Sequence, residues 1–113
     1  MYLDYNATTP LKAAVADAVN SAQRELWGNT SSGHGIGRAA SQALEKAREE
    51  VAAMLDRPAK EISFTSGATE SNAWAFWGLQ HPDRPVRLVS SVEHPSVGVW
   101  GTHQIRVDGQ GRI

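Results

Sequence analysis

The chain has 113 residues, which is room for one small domain and one modest core. Twelve acids face eleven bases for a formal charge of -1, so no electrostatic argument favours nucleic acid or an anionic membrane as a partner. There is no cysteine, which excludes disulfides, thiolate metal sites and a thiol nucleophile within these residues. The opening Met1-Tyr2-Leu3-Asp4-Tyr5 has neither the basic nor the apolar part of a signal peptide. No stretch approaches the roughly 20 apolar residues of a membrane span. A soluble cytoplasmic protein is the default expectation.

Residues Met1 to Pro10 read as an extended lead-in. After Pro10, Val15, Ala18, Val19, Ala22 and Leu26 recur at helical spacing, and Gly28 and Asn29 end the pattern. Gly28 to Gly37 is a loop of small and polar residues with four glycines. A second helix follows, with an apolar stripe of Ala40, Ala43, Leu44, Ala47, Val51 and Leu55, and Pro58 lies just past its end. Its charged stretch, Glu45 to Glu50, is a solvated face. Ile62 to Thr65 reads as a strand, Ser66-Gly67 as a turn, and Ala68 to about Leu79 as a third helix.

Pro82 and Pro85 bracket a loop before a strand at Val86 to Ser90. Pro95 to about Trp100 starts like a short helix, weakened by Gly98 and two valines. Gln104 to Val107 could form another strand, and Asp108-Gly109-Gln110-Gly111 is turn chemistry. Strands alternating with helices predict an α/β fold with right-handed crossovers onto a mainly parallel sheet. No repeat, linker or low-complexity tract marks an internal boundary, so residues 1–113 read as a single segment.

Four motifs carry candidate chemistry. In Phe64-Thr65-Ser66-Gly67-Ala68-Thr69-Glu70-Ser71 a strand turns through small residues into a helix start. The unpaired N–H groups there, with the Thr69 hydroxyl, could receive a phosphate. Equally, Ser66 could simply cap the helix, with Glu70 in the first turn. In Ser90-Ser91-Val92-Glu93-His94-Pro95, His94 stands just past the C-terminal end of a strand, the edge where ligands bind in open α/β sheets. A structural surface histidine is the alternative. Asp4 to Pro10 is a polar turn in which Asn6 or Thr9 could cap a helix. The loop Trp27 to Gly35 is either a plain surface loop or a functional one. Trp74, Phe76 and Trp77 are too close together on one helix for all to enter one small core.

Taken in order, these motifs resemble the start of the class V aminotransferase family, most closely its cysteine desulfurases. The matching pieces are the N-A-T-T-P turn at Asn6 to Pro10, the G-N-x-S-S…H loop at Gly28 to His34, and F-T-S-G-A-T-E-S-N at Phe64 to Asn72. The E-H-P segment at Glu93 to Pro95 and V-D-x-x-G-R-I at Val107 to Ile113 complete the order. Thr30 stands where the family usually has proline, and Ala73 where a second asparagine is common.

The resemblance implies the front part of a fold-type-I enzyme dependent on pyridoxal 5'-phosphate (PLP). Residues up to about 15 would lead in from the small domain, and residues 16–113 would begin the large PLP-binding domain. It implies that Ala68 and Thr69 hold the PLP phosphate and that His94 stacks on the pyridine ring and takes part in proton transfer. Asn6 and Ala7 would lie near the substrate entrance. It further implies L-cysteine as substrate, a sulfur acceptor protein, and a homodimer. Iron–sulfur cluster or thio-cofactor assembly would be the destination of the sulfur. Another class V transaminase, a selenocysteine lyase, or a non-catalytic chain that binds a full-length homologue are the alternatives. The family's Schiff-base lysine, its aspartate against the pyridine nitrogen and its nucleophilic cysteine match nothing in these residues. The expectation is therefore an incomplete enzyme, inactive by itself and marginally stable.

Overall fold

A computed structural model describes all residues from Met1 to Ile113. The chain is α/β and divides into two compact units, Met1–Ser63 and Phe64–Ile113.

The first unit is helical. Helix α1, Ala13–Glu25, runs from Lys12 and buries none of its residues. Val15 and Val19, on its expected apolar face, remain exposed. Helix α2, Gly35–Met54, is the long element of this unit and buries Gly37, Ala40 and Ala52. Its N-terminus is capped by His34, whose Nδ1 accepts from the Gly37 N–H at 3.2 Å. The preceding loop is folded on itself. The Asn29 side chain accepts from Ser31 N–H at 2.8 Å, and the Asn29 carbonyl accepts from Ser32 N–H at 3.0 Å. A Cβ on Gly37 would stand 2.7 Å from the Asn29 carbonyl oxygen, so only glycine lets the helix approach the loop this closely.

The end of α2 is decided before Pro58 is reached. Asp56 takes a left-handed conformation at φ 51°, a region that Asp tolerates better than most residues. The Asp56 N–H then bonds the Ala53 carbonyl at 3.3 Å, and the Arg57 N–H bonds that of Ala52 at 2.9 Å, a Schellman pair. A single 3₁₀ turn, Ala59–Glu61, packs back against the helix. The reversal buries Ala52 in place of Leu55, which the stripe had pointed inward and which stays exposed.

The second unit carries the sheet. Helix α3, Ala68–Gly78, begins at the residue expected from the Ser66-Gly67 turn. Strand β1, Leu88–Ser90, and strand β2, His103–Ile105, pair in parallel with Leu88 opposite His103. The short helix α4, Pro95–Gly98, lies on the connection between them, as a parallel pair requires. Val89 is buried at the centre of this unit, 5% exposed, and Gly101 lies directly against its methyl groups.

Three expected strands are corrected, the one at Val86 to Ser90 beginning two residues later at Leu88. Ile62 to Thr65 is extended but not part of a sheet, because no neighbouring segment pairs with it and a strand is defined by its ladder. The strand expected at Gln104 to Val107 starts one residue earlier and ends two earlier. The Arg87 carbonyl takes the N–H groups of Thr102 and His103 and so sets the register. Helix α3 has no apolar stripe: its first turn is polar from Thr69 to Asn72, and Ala73 to Gly78 has no polar side chain except the Trp indole N–H groups. Phe76 stacks on Trp100 at 6.1 Å between centroids, while Trp74 and Trp77 are 57% and 69% exposed. No helix is long and apolar enough to cross a membrane.

Candidate cofactor site

The turn into α3 is organised by two side-chain clasps. The Ser66 hydroxyl and backbone N–H both donate to Glu70 Oε2, at 2.6 and 2.7 Å. These bonds, the hydroxyl first and the backbone N–H second, hold the Glu70 carboxyl below the usual carboxylate range. On the other side, Thr65 Oγ1 donates to the Gly67 carbonyl at 3.1 Å and lies 2.7 Å from Ser71 Oγ. Ser66 therefore does not cap the helix. Gly67 occupies the N-cap position and no side chain caps the end.

The consequence is an open helix N-terminus. The first intrahelical bond to close is Ser71 N–H to the Gly67 carbonyl, at 3.1 Å. The N–H groups of Ala68, Thr69 and Glu70 have no carbonyl one turn back to bond. Ala68 and Thr69 are exposed, and the Thr69 hydroxyl makes no hydrogen bond within the chain. Glu70, the one anion in this turn, is drawn back onto Ser66. This donor set fits a phosphate monoester: several N–H groups converging at the positive end of a helix, and one hydroxyl beside them.

His94 belongs to the same unit. It follows β1 and forms the N-cap of α4, with its Nδ1 accepting from Ser96 N–H at 3.1 Å. The same Nδ1 is 2.8 Å from Ser96 Oγ, and Ser96 Oγ accepts from Asn72 Nδ2 at 2.9 Å. Asn72 is one turn beyond Thr69 on α3. A continuous set of hydrogen bonds thus runs from the start of α3 to the His94 ring. Glu93, next to it, accepts from Ser90 Oγ at 2.9 Å.

Asn72 closes the Phe64 to Asn72 motif without an assigned role and Ser96 lies outside every motif, yet together they join the two motifs. The available signal was a serine two residues after a His-Pro helix start and an amide one turn along the next apolar helix. Asn6 and Ala7 lie in the first unit, in a tight turn where the Ala7 and Thr8 N–H groups bond the Asp4 carbonyl at 3.1 and 3.4 Å. The hydroxyl of Tyr2 also donates to that carbonyl, at 2.9 Å. A cleft of about 410 Å³ lies elsewhere in the second unit, at the C-terminal end of α3 among Leu79, His81, Arg84 and Arg87.

The second unit thus joins exposed N–H donors at a helix start to a histidine held from the same helix. Residues 1–106 match the family model described as aminotransferase class-V, and the chain belongs to that family. The family's enzymes depend on PLP. Among curated relatives, the chain is 49% identical over 109 residues to a selenocysteine lyase of Bos taurus, covering 96% of this chain and 23% of that protein. It is 43% identical over 101 residues to the cysteine desulfurase IscS of Dictyoglomus turgidum, covering 86% and 25%. It is 39% identical over 126 residues to a cysteine desulfurase of Sinorhizobium fredii, covering all of this chain and 33% of that protein. The chain thus spans about a quarter to a third of the length of these relatives.

Proposed function

We propose that the second unit forms the phosphate and ring-contact part of a PLP site in a cysteine desulfurase. In this reading the backbone of Ala68 and Thr69 and the Thr69 hydroxyl hold the phosphate. His94 lies on the pyridine ring and handles a proton there. Asn6 and Ala7 contribute to the substrate entrance. The observation that carries it is the uncapped start of α3, with exposed donors and the neighbouring carboxylate clasped away. PLP supplies the electron sink that lets the bonds around the substrate's α-carbon be remade.

The reaction would move sulfur from L-cysteine to an enzyme cysteine as a persulfide, with alanine as the other product. An acceptor protein would then take the sulfur for iron–sulfur cluster or thio-cofactor assembly, in a cytoplasmic homodimer. Residues to about 15 would belong to the small domain and the rest to the large one. These 113 residues contain no cysteine, so the sulfur-accepting thiolate must come from outside them. Lys12, Lys46 and Lys60 all lie in the first unit, in none of the settings of the family's cofactor lysine. The 113 residues alone are therefore expected to release neither sulfide from L-cysteine nor selenide from L-selenocysteine when supplied with PLP. Turnover above a PLP-only control would end that part of the reading. Selenocysteine as substrate is the second reading, favoured by the 49% identity to the bovine lyase.

The phosphate site is tested by Ala68→Pro. Proline is well accommodated at the first helical position, so this change deletes one N–H while keeping the helix. Inorganic phosphate and PLP should perturb the Ala68 and Thr69 amide signals of the wild type, and both Ala68→Pro and Thr69→Val should weaken the response. Equal binding by all three proteins would rule the site out.

A further inference from the structure

His94 Nδ1 meets two groups of Ser96 at once, the backbone N–H at 3.1 Å and Oγ at 2.8 Å. A backbone N–H can only donate. An Nδ1 that faces it must therefore be the unprotonated, accepting nitrogen, and the ring proton of the neutral imidazole must sit on Nε2.

The Asn72 amide reinforces this choice. Its Nδ2 donates to Ser96 Oγ at 2.9 Å, which fills an acceptor position on that oxygen and leaves the hydroxyl hydrogen free to point at Nδ1. Both Asn72 and Ser96 are half-buried, whereas His94 is exposed. The two partners are held by packing between α3 and α4, and the histidine is held by them. Nε2 makes no hydrogen bond within the chain. It is the one polar position of the ring left for a ligand.

We propose that Asn72 and Ser96 are positioning residues that hold His94 as the neutral Nε2–H tautomer, in one ring orientation set by α3. The ring then presents a hydrogen-bond donor, and α3 becomes a rigid link between the Ala68-Thr69 turn and the histidine. The consequence for cofactor chemistry rests on the proposed function above. The tautomer itself does not.

The test is imidazole nitrogen NMR on protein labelled with ¹⁵N-histidine, at a pH where imidazole is neutral. The protein has four histidines, and His94→Gln assigns the signal. The wild type should show the Nε2–H form. Ser96→Ala and Asn72→Ala should each move the tautomer ratio towards Nδ1–H by about two- to tenfold, the worth of one hydrogen bond. Ser96→Thr should restore the wild-type ratio. An Nδ1–H ring in the wild type would overturn the proposal, as would a ratio unmoved in both alanine variants of unchanged helical circular dichroism. A phosphate titration of the same samples keeps the two readings apart. No phosphate response with an Nε2–H ring would remove the proposed function and leave this inference standing. A phosphate response lost in Ala68→Pro, together with an Nδ1–H ring, would do the reverse.

Discussion

The two units of the chain differ in how far their hydrogen bonds reach. In Met1–Ser63 the hydrogen bonds are mostly local: the Asn29 turn, the His34 cap and the Schellman pair at Asp56 each join residues within a few positions, and Arg48 to the Ile62 carbonyl is the long-range exception. In Phe64–Ile113 local clasps such as Ser66 to Glu70 are joined by several that reach across the chain. Asn72 meets Ser96, 24 residues on, and the Arg87 N–H meets the Thr102 hydroxyl, 15 residues on. The first unit is shaped by backbone conformations that short motifs specify. In the second, the parallel strand pair and the link from α3 to His94 exist only when the elements have docked.

Close glycines offer the sharpest way to break this comparison. Gly37→Ala should have the largest effect, at the upper end of the about 1–3 kcal/mol typical of overpacking or beyond it. The added Cβ meets backbone carbonyls, which cannot move aside as a side chain can. Urea unfolding followed by α2 amide exchange reads it, with Gly33→Ala as the control, since nothing lies within 4 Å of that position. Equal behaviour of the two variants would mean that the loop is not packed on the helix start.

Gly101→Ala should cost about 1–3 kcal/mol in the second unit only. Its Cβ would meet the Val89 methyl groups, which can partly give way. Exchange protection should fall across Leu88–Ser90 and His103–Ile105 and stay unchanged in α2. Loss of protection in both units together would show that they unfold as one.

A smaller effect on stability is expected from Trp77→Gln. The side chain is 69% exposed, so the melting temperature should hardly change, within about 0.5 kcal/mol. Self-association should drop instead. The only buried apolar side chains are Ala40, Ala52 and Val89, while Trp27, Trp74 and Trp77 face solvent. Such a surface favours aggregation and a melting curve that depends on concentration. Light scattering at several concentrations checks this, and a sharply melting monomer of wild type would contradict it.

The smallest effect is acidic. The carboxyl of Glu70 is held below its ordinary range by Ser66, so its contribution is present when it is ionised. That contribution is complete above the unfolded carboxylate range and is lost as pH falls through the lowered folded value. The Ser66 amide signal should move in that acidic window, and Glu70→Gln should abolish the change. Asp108, lowered by the backbone N–H groups of Arg112 and Gln110, should titrate independently in its own turn. A Ser66 signal that follows Asp108→Asn instead would show that the clasp is misassigned.

How much of this was legible in the sequence differs between residues for definite reasons. The start of α3 at Ala68 was legible because small residues before an apolar run leave the backbone few alternatives. The exposure of at least one of Trp74, Phe76 and Trp77 was legible because α3 has only one side to turn inward. Leu55 was misread because the stripe rule assumes the helix continues, and a left-handed Asp56 ended it. Ile62 to Thr65 was misread as a strand because an extended propensity is a property of the segment, whereas a ladder is a property of two.

By itself, then, the order of motifs from Asn6 to Ile113 determined the family, the alternation of helix and strand, and the start of α3 at Ala68. Each of those depends on residues adjacent in the chain, whose backbone preferences act before anything docks. Tertiary structure alone decided that Val89 would be the core of the second unit. It also decided that Asn72 would reach Ser96, 24 residues on, and through it His94. Those outcomes depend on which groups packing brings within about 3 Å of each other, the range at which a hydrogen bond selects one partner over another.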